Sequence, residues 1–435
     1  MQRKATKSPI FFGWYVLATT ILIGMVTTGA GNSFGIFVLP LEKEFGWDRV
    51  TVTLAVSLGA LVGGVTQPFL GHALDVLGGR KVILVSLTVY GLVIVLLSLT
   101  FHILFLVFIL GFVSPFALSG TSLTNTSALV AIWFRRMRAT AVGFNSAGIS
   151  LGGLLLVPFA MYILQATSWR IAWAALGLII LVLAVPMAYL FLRDDPAKLG
   201  LQPDGDAAPP EQGADESSSR DLGPLEINEP GMWARSLRSW PWWQMSGSYA
   251  VCGFTTFMLS VHFVPYAIDQ GVSPGTAATI FGFMMGLNLL GVTGAGMLSD
   301  RIGGRKNVLA MVYLLRGCAY VLLLVVPSTM GLWAFAALAG FSWVATASLT
   351  TTLTAEVYGL RALGTISGVS LLMHQIGGSA GAMFASLLYV MTDSYTIPFA
   401  IAGALLFPAA LSAFSIDERR YSIRHQEMAP ATAAD

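Results

Sequence analysis

A short basic motif occurs twice in the chain, each time between two long apolar runs. Residues 71–81 and residues 296–306 both read G-x-x-x-D-x-x-G-G-R-K. The second copy follows the first at a distance of roughly half the chain length. Repeats on this scale between apolar runs are typical of membrane proteins assembled from two similar parts. The motif therefore predicts two related membrane-embedded halves.

The composition is that of an integral membrane protein. Of the 435 residues, 55% are hydrophobic and only 11% are charged, whereas a soluble domain carries about 25% charged residues. Cys252 and Cys318 both lie inside apolar runs, which makes a structural disulfide or a metal site improbable. The sequence contains no nucleotide-binding motif and no nucleophile–base constellation. We expect no enzyme activity, no cofactor, no metal and no nucleic-acid partner.

Twelve apolar runs are long enough to cross a bilayer, which requires about 20 residues each. The predicted spans 1 to 12 are 11–39, 50–74, 82–101, 103–131, 139–164, 170–192, 241–268, 273–298, 307–327, 331–356, 362–390 and 394–415. With both termini cytoplasmic, all but four of the 24 Lys and Arg residues fall on the cytoplasmic side; the exceptions are Lys43, Arg49, Arg170 and Arg316. This asymmetry predicts an even number of spans with cytoplasmic termini.

The composition changes abruptly between spans 6 and 7, where Pro, Gly, Ser, Asp and Glu replace the apolar residues. Such a segment cannot bury enough apolar surface to fold alone. We predict an N-terminal six-helix half at 1–192, a flexible cytoplasmic linker at 193–240, a C-terminal six-helix half at 241–417 and a cytoplasmic tail at 418–435.

The start of span 5 carries a second motif. Residues 133–152 read W-F-R-R-M-R-A-T-A-V-G-F-N-S-A-G-I-S-L-G, and Gly143, Gly148 and Gly152 give this helix a smooth face for close contact. With its two halves and its loop after spans 2 and 8, the chain resembles the major facilitator superfamily. The span 5 motif resembles the monocarboxylate transporter family within it.

Further stretches extend this resemblance over the whole chain. F-G-W at 12–14 keeps half of the family's first signature, and residues 44–47, 195–201 and 203–205 resemble bacterial members. The resemblance implies an all-α membrane protein with twelve transmembrane helices in two pseudo-symmetric six-helix halves, the major facilitator fold. It also implies a multi-pass protein of the bacterial inner membrane.

The charged residues of the animal carboxylate carriers are replaced in this chain. Their span 1 lysine corresponds to Asn32, and their span 8 Asp–Arg pair corresponds to Asn288 and Val292. A charged group at mid-membrane is costly and usually functional. The family's proton-and-carboxylate machinery is therefore missing here or has moved to other residues.

Three ionisable residues remain inside spans as candidates. Arg316 lies roughly 15 Å into span 9 and could bind a carboxylate bidentately, or it could bond to backbone carbonyls of span 8 or 10. His262 in span 7 is the candidate proton carrier because histidine titrates near neutrality; its alternative is a hydrogen bond to a neighbouring helix. His374 in span 11 has the same two alternatives, with packing favoured.

Spans 4 and 10 hold equivalent places in the two halves and carry polar stretches. In the family, spans 1, 4, 7 and 10 line the cavity, so the resemblance implies that polar residues on them face the substrate. The substrate-binding candidates are Asn32, Asn125, Asn145, His262, Asn288, Arg316, Trp343, Thr346 and His374.

The duplicated loop supplies the gating candidates. Its Asp lies at a helix end and its basic pair suits the anionic membrane surface. These groups either fix only topology and packing, or form a latch that opens and closes as the halves rock. The gating candidates are Asp75, Arg80, Arg138, Asp300 and Arg305.

Together these features predict a monomeric secondary transporter for a small organic anion, with a proton as the candidate coupling ion carried by His262. Its partners would be the small-molecule substrate and the lipid bilayer. The alternative is a uniporter or exporter of a neutral or amphiphilic metabolite or drug, which the uncharged Asn32, Asn288 and Val292 favour. A transporter-like receptor would need a folded output module, which the linker is too short and polar to provide.

Overall fold

The computed structural model describes residues 11–134, 138–203, 232–302, 304–343, 345–358 and 363–417. Within these residues, twelve helices or broken helices are long and apolar enough to cross a membrane, and they coincide with the twelve predicted spans. The predicted twelve-span helical architecture is therefore confirmed. Residues 204–231 of the predicted linker and the whole predicted tail lie outside the described residues, and the orientation of the termini stays a prediction.

The helices are longer at several ends than the apolar runs alone indicate. Spans 1 to 6 contain α1 (Gly13–Asn32), α2 (Phe34–Phe45), α3 (Arg49–Leu77), α4 (Gly79–Leu97), α5 (Ile103–Phe108), α6 (Ser114–Gly120), α7 (Leu123–Trp133), α8 (Arg138–Ala166), α9 (Trp169–Ile179) and α10 (Val185–Phe191). Spans 7 to 12 contain α11 (Trp240–Asp269), α12 (Pro274–Ile302), α13 (Arg305–Val325), α14 (Thr329–Ser342), α15 (Ala345–Tyr358), α16 (Leu363–Thr392) and α17 (Thr396–Phe414).

Two spans contain a π-helical turn beside a proline. The turn Ile109–Val113 joins α5 to α6, whose second residue is Pro115, and Ile180–Ala184 joins α9 to α10, whose second residue is Pro186. Proline lacks an amide hydrogen and its ring clashes with the carbonyl four residues earlier. A wider turn relieves this clash, so spans 4 and 6 accommodate their prolines without leaving the helical path.

Spans 1, 4 and 10 are interrupted, at Ser33, between α6 and α7, and between α14 and α15. An interruption frees backbone groups that lipid cannot satisfy. At the first, the Ser33 hydroxyl donates to the carbonyl of Gly29 at 2.7 Å. At the second, the Ser122 hydroxyl accepts a hydrogen bond from the backbone N–H of Asn125 at 3.4 Å. At the third, the guanidinium of Arg316 donates to the carbonyl of Trp343.

Glycines bring α1 and α8 into direct backbone contact. A Cβ atom at Gly148 would overlap the carbonyl oxygen of Ile21, and one at Gly152 would overlap that of Met25. The predicted smooth face of span 5 is thus confirmed at Gly148 and Gly152. It is wrong at Gly143, where an added Cβ would meet nothing within 4 Å. We call the contact of Gly148 and Gly152 with α1 the α1–α8 seam.

A second glycine contact joins α11 to α16. A Cβ at Gly377 would overlap the carbonyl oxygen of Ala250, and one at Gly381 would overlap that of Phe254. From the opposite side, a Cβ at Gly253 would overlap the carbonyl oxygen of His374. This α11–α16 seam fixes the backbone of His374 directly against α11.

The chain forms two compact units. The first is Met1–Gly213 with Ser260–Leu289, and the second is Ala214–Leu259 with Leu290–Asp435. Ser260–Leu289 packs with the N-terminal helices, because Gly282 lies against Pro158 and the amide of Asn288 donates to Ser150 at 2.9 Å. Each unit therefore combines segments that pack together although they are not consecutive in the chain. The predicted division into halves at 192 and 241, which follows chain order, stays a prediction.

The α1–α8 seam predicts an asymmetric response to alanine along one helix. Gly152→Ala should lower the free energy of unfolding by about 1–3 kcal/mol, because the new methyl group has no space. Gly143→Ala on the same helix should leave it unchanged or raise it slightly, since alanine favours helix over glycine. Thermal unfolding of the two variants in detergent measures the difference, and equal midpoints would contradict the packing described here.

Candidate functional site

Arg316 is a fully buried arginine on α13. Its Nη2 atom donates to the carbonyl oxygens of Ser342, in a very short contact, and of Trp343 at 2.6 Å. Its Nε lies 3.4 Å from the Ser342 hydroxyl. One edge of the guanidinium thus binds the backbone that is freed where span 10 is interrupted between α14 and α15. Bonds to backbone carbonyls of span 8 or 10 were the predicted alternative to carboxylate binding by Arg316.

The other edge of the guanidinium faces α11. Its Nη1 atom lies 3.2 Å from Cys252 Sγ, 3.3 Å from Thr256 Oγ1 and 3.4 Å from Thr255 Oγ1. The two hydroxyl contacts are long, and none of the three partners carries a full charge in its ordinary state. Across the described ranges, no carboxylate lies within ion-pair distance of Arg316. A buried charge without a counter-ion is strongly unfavourable.

Unused hydrogen-bonding groups surround this arginine. Tyr313 Oη, Thr350 Oγ1 and His374 Nδ1 are shielded from solvent and have no hydrogen-bond partner among the described residues. The Tyr313 and Thr350 hydroxyls lie near each other without a bond of normal geometry, and Tyr313 is within electrostatic reach of both Arg316 and Cys252. Most buried polar groups in proteins are satisfied, so a concentration of unsatisfied ones requires an explanation.

Aromatic and thiol groups complete the surroundings. The rings of Tyr249 and His374 lie 4.5 Å apart, and His374 is within electrostatic reach of Cys252. Thr346 Oγ1 lies 3.0 Å from the Cys252 sulfur. These groups belong to the second unit and we call them the Arg316 cluster: Tyr249, Cys252, Tyr313, Arg316, Thr346, Thr350 and His374.

The Arg316 cluster has the chemistry of a carboxylate site. A carboxylate accepts hydrogen bonds only, and the Nη1 edge, the Tyr313 hydroxyl and the Thr350 hydroxyl are all donors. Because the present partners of Nη1 are two hydroxyls and a thiol, a carboxylate oxygen would bind this edge more strongly through a charge-assisted bond. The Nη2 edge would keep its bonds to span 10 at the same time.

Four of the predicted substrate residues meet at this cluster. Arg316, Thr346 and His374 belong to it, and Trp343 contributes the carbonyl that accepts from Arg316. Tyr249, Cys252, Tyr313 and Thr350 were not among the predicted residues. The sequence pointed to this region through Arg316, His374 and the polar stretch of span 10, but no pattern marked the two tyrosines or the cysteine.

The remaining predicted substrate residues lie in the first unit. Asn125 donates to the carbonyls of Ser119 at 3.0 Å and Gly120 at 3.3 Å, which satisfies the interruption of span 4. Asn145 donates to the hydroxyl oxygens of Thr126 at 3.0 Å and Ser127 at 3.1 Å. Both amides therefore hold neighbouring helical segments together.

Three more predicted residues of the first unit have separate surroundings. Asn32, at the end of α1, lies 3.8 Å from the sulfur of Met285. Asn288 donates to Ser150 across α12 and α8. His262 on α11 is completely buried and has interactions within the protein. Substrate contact by these residues stays a prediction.

Two gating candidates have defined partners. The Arg80 guanidinium donates to the carbonyl of Tyr189 at 2.8 Å, and its backbone amide donates to Asp194 at 2.5 Å. Arg305 forms an ion pair with Glu356 at 3.0 Å. Asp75, Arg138 and Asp300 lie in helices, but their side chains are outside the described part of the structure, so their gating role stays a prediction.

An ionic network that the sequence did not predict lies in the first unit. Arg49, at the start of α3, pairs with Asp269 at the end of α11 through contacts of 2.8 and 3.2 Å. The same guanidinium contacts Glu42 at 3.0 Å. The sequence places Arg49 and Asp269 on the same side of the membrane but contains no signal that pairs them. The network fixes the end of α11 to the N-terminal helices.

These features define a polytopic helical membrane protein with a buried polar cluster and a duplicated basic loop, as in membrane transporters. The family model of the Major Facilitator Superfamily matches residues 19–382 and 245–430. The chain belongs to the Major Facilitator Superfamily, whose family and fold are those of membrane transporters and not of enzymes.

Several transporters are similar over most of the chain. An uncharacterised transporter of the same superfamily from Bacillus subtilis, YcxA, is 23% identical over 89% of this chain and 91% of its own length. Monocarboxylate transporter 13 from Bos taurus is 25% identical over 91% of this chain and 87% of its own. Monocarboxylate transporter 12 from Rattus norvegicus is 26% identical over 93% and 85%.

Solved structures confirm the fold. A bacterial homologue of the human lysosomal transporter Spinster, crystallised in an inward-facing and unoccupied conformation, superimposes with a TM-score of 0.70. The two sequences are 17% identical, and the match covers 99% of this chain and all of the other. At this identity the similarity establishes the fold alone.

The network around Arg49 predicts a site-specific loss of stability. Asp269→Asn should lower the free energy of unfolding by about 1–3 kcal/mol, because the largely buried Arg49 loses its two charge-assisted bonds to that side chain. Lys43→Gln is the control, since Lys43 is an exposed residue close by in sequence. Thermal unfolding in detergent measures both, and an unchanged midpoint for Asp269→Asn would show that the pair contributes nothing.

Proposed function

We propose that this chain is a secondary transporter that moves a small organic anion of the monocarboxylate class across the bacterial inner membrane by alternating access. One observation carries the proposal: a fully buried guanidinium has no carboxylate within reach in the described structure and is surrounded by unsatisfied polar groups. The similarity to monocarboxylate transporters 12 and 13 supports the same substrate class.

Electrostatics favour an anionic substrate over a neutral one. The desolvation cost of Arg316 is incurred when the protein folds, so a carboxylate that enters the Arg316 cluster finds its counter-ion already held in place. A neutral solute could use the hydroxyls of Tyr313 and Thr350 but would form no ion pair with the guanidinium. The cluster is therefore suited to small acids.

A proton is the proposed coupling ion, with His262 as the carrier that the sequence indicates. Moving an anion with a proton leaves no net charge to cross the membrane potential. The five residues predicted for gating, Asp75, Arg80, Arg138, Asp300 and Arg305, remain the candidates for the latches that alternate access requires. We further propose cytoplasmic termini and a monomeric carrier.

Two tyrosines on α13 give a matched test of the substrate site. Tyr313→Phe removes a hydroxyl that has no partner, so stability should be unchanged while affinity for lactate falls about tenfold, the value of one hydrogen bond to a charged group. Tyr320→Phe removes a hydroxyl that donates to the carbonyl of Thr255 at 3.0 Å, so it should lower stability and leave affinity unchanged. Ligand-induced thermal stabilisation measures both quantities, and the reverse pattern would overturn the site.

The positive charge of Arg316 predicts that the protein transports anions and not neutral solutes. In proteoliposomes the wild type should take up lactate and not its neutral amide, lactamide. Arg316→Gln should reduce lactate uptake at least about tenfold, because a charge-assisted bond is lost, and Arg170→Gln should not. If lactamide or a larger neutral solute is carried instead, and Arg316→Gln has no effect on it, the neutral or drug-like alternative is correct.

A further inference from the structure

Cys252 is a buried thiol in direct contact with the guanidinium of Arg316. The side chain is 2% exposed, and its sulfur lies 3.2 Å from Arg316 Nη1. The hydroxyls of Thr346 at 3.0 Å and Thr256 at 3.7 Å lie beside the same sulfur. The other cysteine, Cys318, is exposed on α13. Three potential donors therefore converge on one buried sulfur atom.

Arg316 needs a counter-ion that the described carboxylates do not supply. Arginine stays protonated in proteins, and an isolated buried positive charge is strongly unfavourable. Its other contacts are with hydroxyls and carbonyls, which cannot ionise near neutral pH. Among the described residues, the thiol of Cys252 is the one acidic group in hydrogen-bond contact with the guanidinium. A thiolate at this position would neutralise it.

The groups around Cys252 are compatible with a negative sulfur. Arg316 is the positive charge that faces it, from α13. The titratable groups within electrostatic reach are His374 on α16, Tyr249 on its own helix, and Tyr313 and Tyr320 on α13. Thr346 approaches from α15 with a hydroxyl that can donate. No carboxylate is among these neighbours, so nothing nearby opposes the thiolate with a second negative charge.

We propose that Cys252, as a thiolate, is the counter-ion of Arg316 in the empty carrier, and that it takes up the coupling proton when a substrate carboxylate replaces it. This rests on the proposed function and assigns the proton to Cys252 instead of His262. When the carboxylate binds the Nη1 edge, the sulfur loses its partner and forms an S–H bond with a proton from solvent. The pair of Arg316 and its counter-ion is neutral before and after, so each carboxylate carries one proton with it.

This exchange accounts for the absence of a carboxylate beside Arg316 among the described residues. A resident carboxylate that stayed ionised would leave a net negative charge beside the guanidinium when the substrate binds. If it became protonated instead, it would still compete with the substrate for the hydrogen-bond donors. A thiol is a weaker hydrogen-bond acceptor than a carboxylate, so it releases Nη1 once it is protonated. The proton and the substrate thus bind together or not at all.

The thiolate can be tested without any substrate. In a Cys318→Ser background, the ultraviolet absorbance of a thiolate should be present at neutral pH in the empty protein, because an adjacent cation stabilises that form. It should disappear in Cys252→Ser and in Arg316→Gln. Its absence from the Cys318→Ser protein at neutral pH would overturn the proposal, whatever the protein is found to transport.

Coupling is tested with lactate as the probe. Lactate added to weakly buffered protein should cause uptake of about one proton per ligand bound in the wild type and in Cys318→Ser. Cys252→Ser should take up no proton for each lactate that it binds, and a proton gradient should no longer drive its lactate uptake in proteoliposomes. Full proton uptake by Cys252→Ser would sink the inference. If lactate fails to bind the wild type, the proposed function is wrong, and the thiolate absorbance still decides the state of Cys252.

Discussion

A helix that is interrupted inside a bilayer must find partners for its free carbonyls within the protein, because lipid offers none. Spans 4 and 10 meet this constraint in different ways. In span 4 the neutral amide of Asn125 binds carbonyls of its own span. In span 10 the partner is Arg316, a full positive charge that comes from a different helix.

The choice of arginine for this position links structure to chemistry. A neutral amide can bind free carbonyls equally well, whereas a charged group inside the membrane has a large free-energy cost and is usually functional. A buried arginine at this position therefore indicates a second role. The planar guanidinium separates two tasks, since its Nη2 edge binds the backbone of span 10 and its Nη1 edge faces Cys252. A lysine could not divide its donors in this fixed geometry. The same residue thus completes a helix interruption and leaves one edge of its guanidinium for the proposed carboxylate.

The sequence predicts the architecture well because membrane physics fixes it locally. Apolar length sets each span, and the glycine spacing of span 5 correctly marks Gly148 and Gly152 as contact residues. Gly143 lies five residues before Gly148 rather than four, which turns it away from that face of the helix, and a Cβ added there would meet nothing within 4 Å.

The site is less predictable because it depends on contacts between distant segments. Depth along span 9 identifies Arg316, but its partners arise from the interruption of span 10, which no residue pattern marks. Cys252 is one apolar-looking residue among many until the arginine is beside it. Arg49 and Asp269 show the same limit, since charge and side of the membrane do not determine pairing.

The two glycine seams limit where this protein can deform. Where backbone touches backbone, no side chain between the helices can repack, so we expect α1 to stay against α8, and α11 against α16, in any movement. Cys252 and His374 lie on the second pair of helices and would keep their relative positions. Bending is then expected at the interrupted spans, and span 10 contains the carbonyls that Arg316 binds. A ligand that shifts Arg316 would therefore act directly on the point at which span 10 is able to bend.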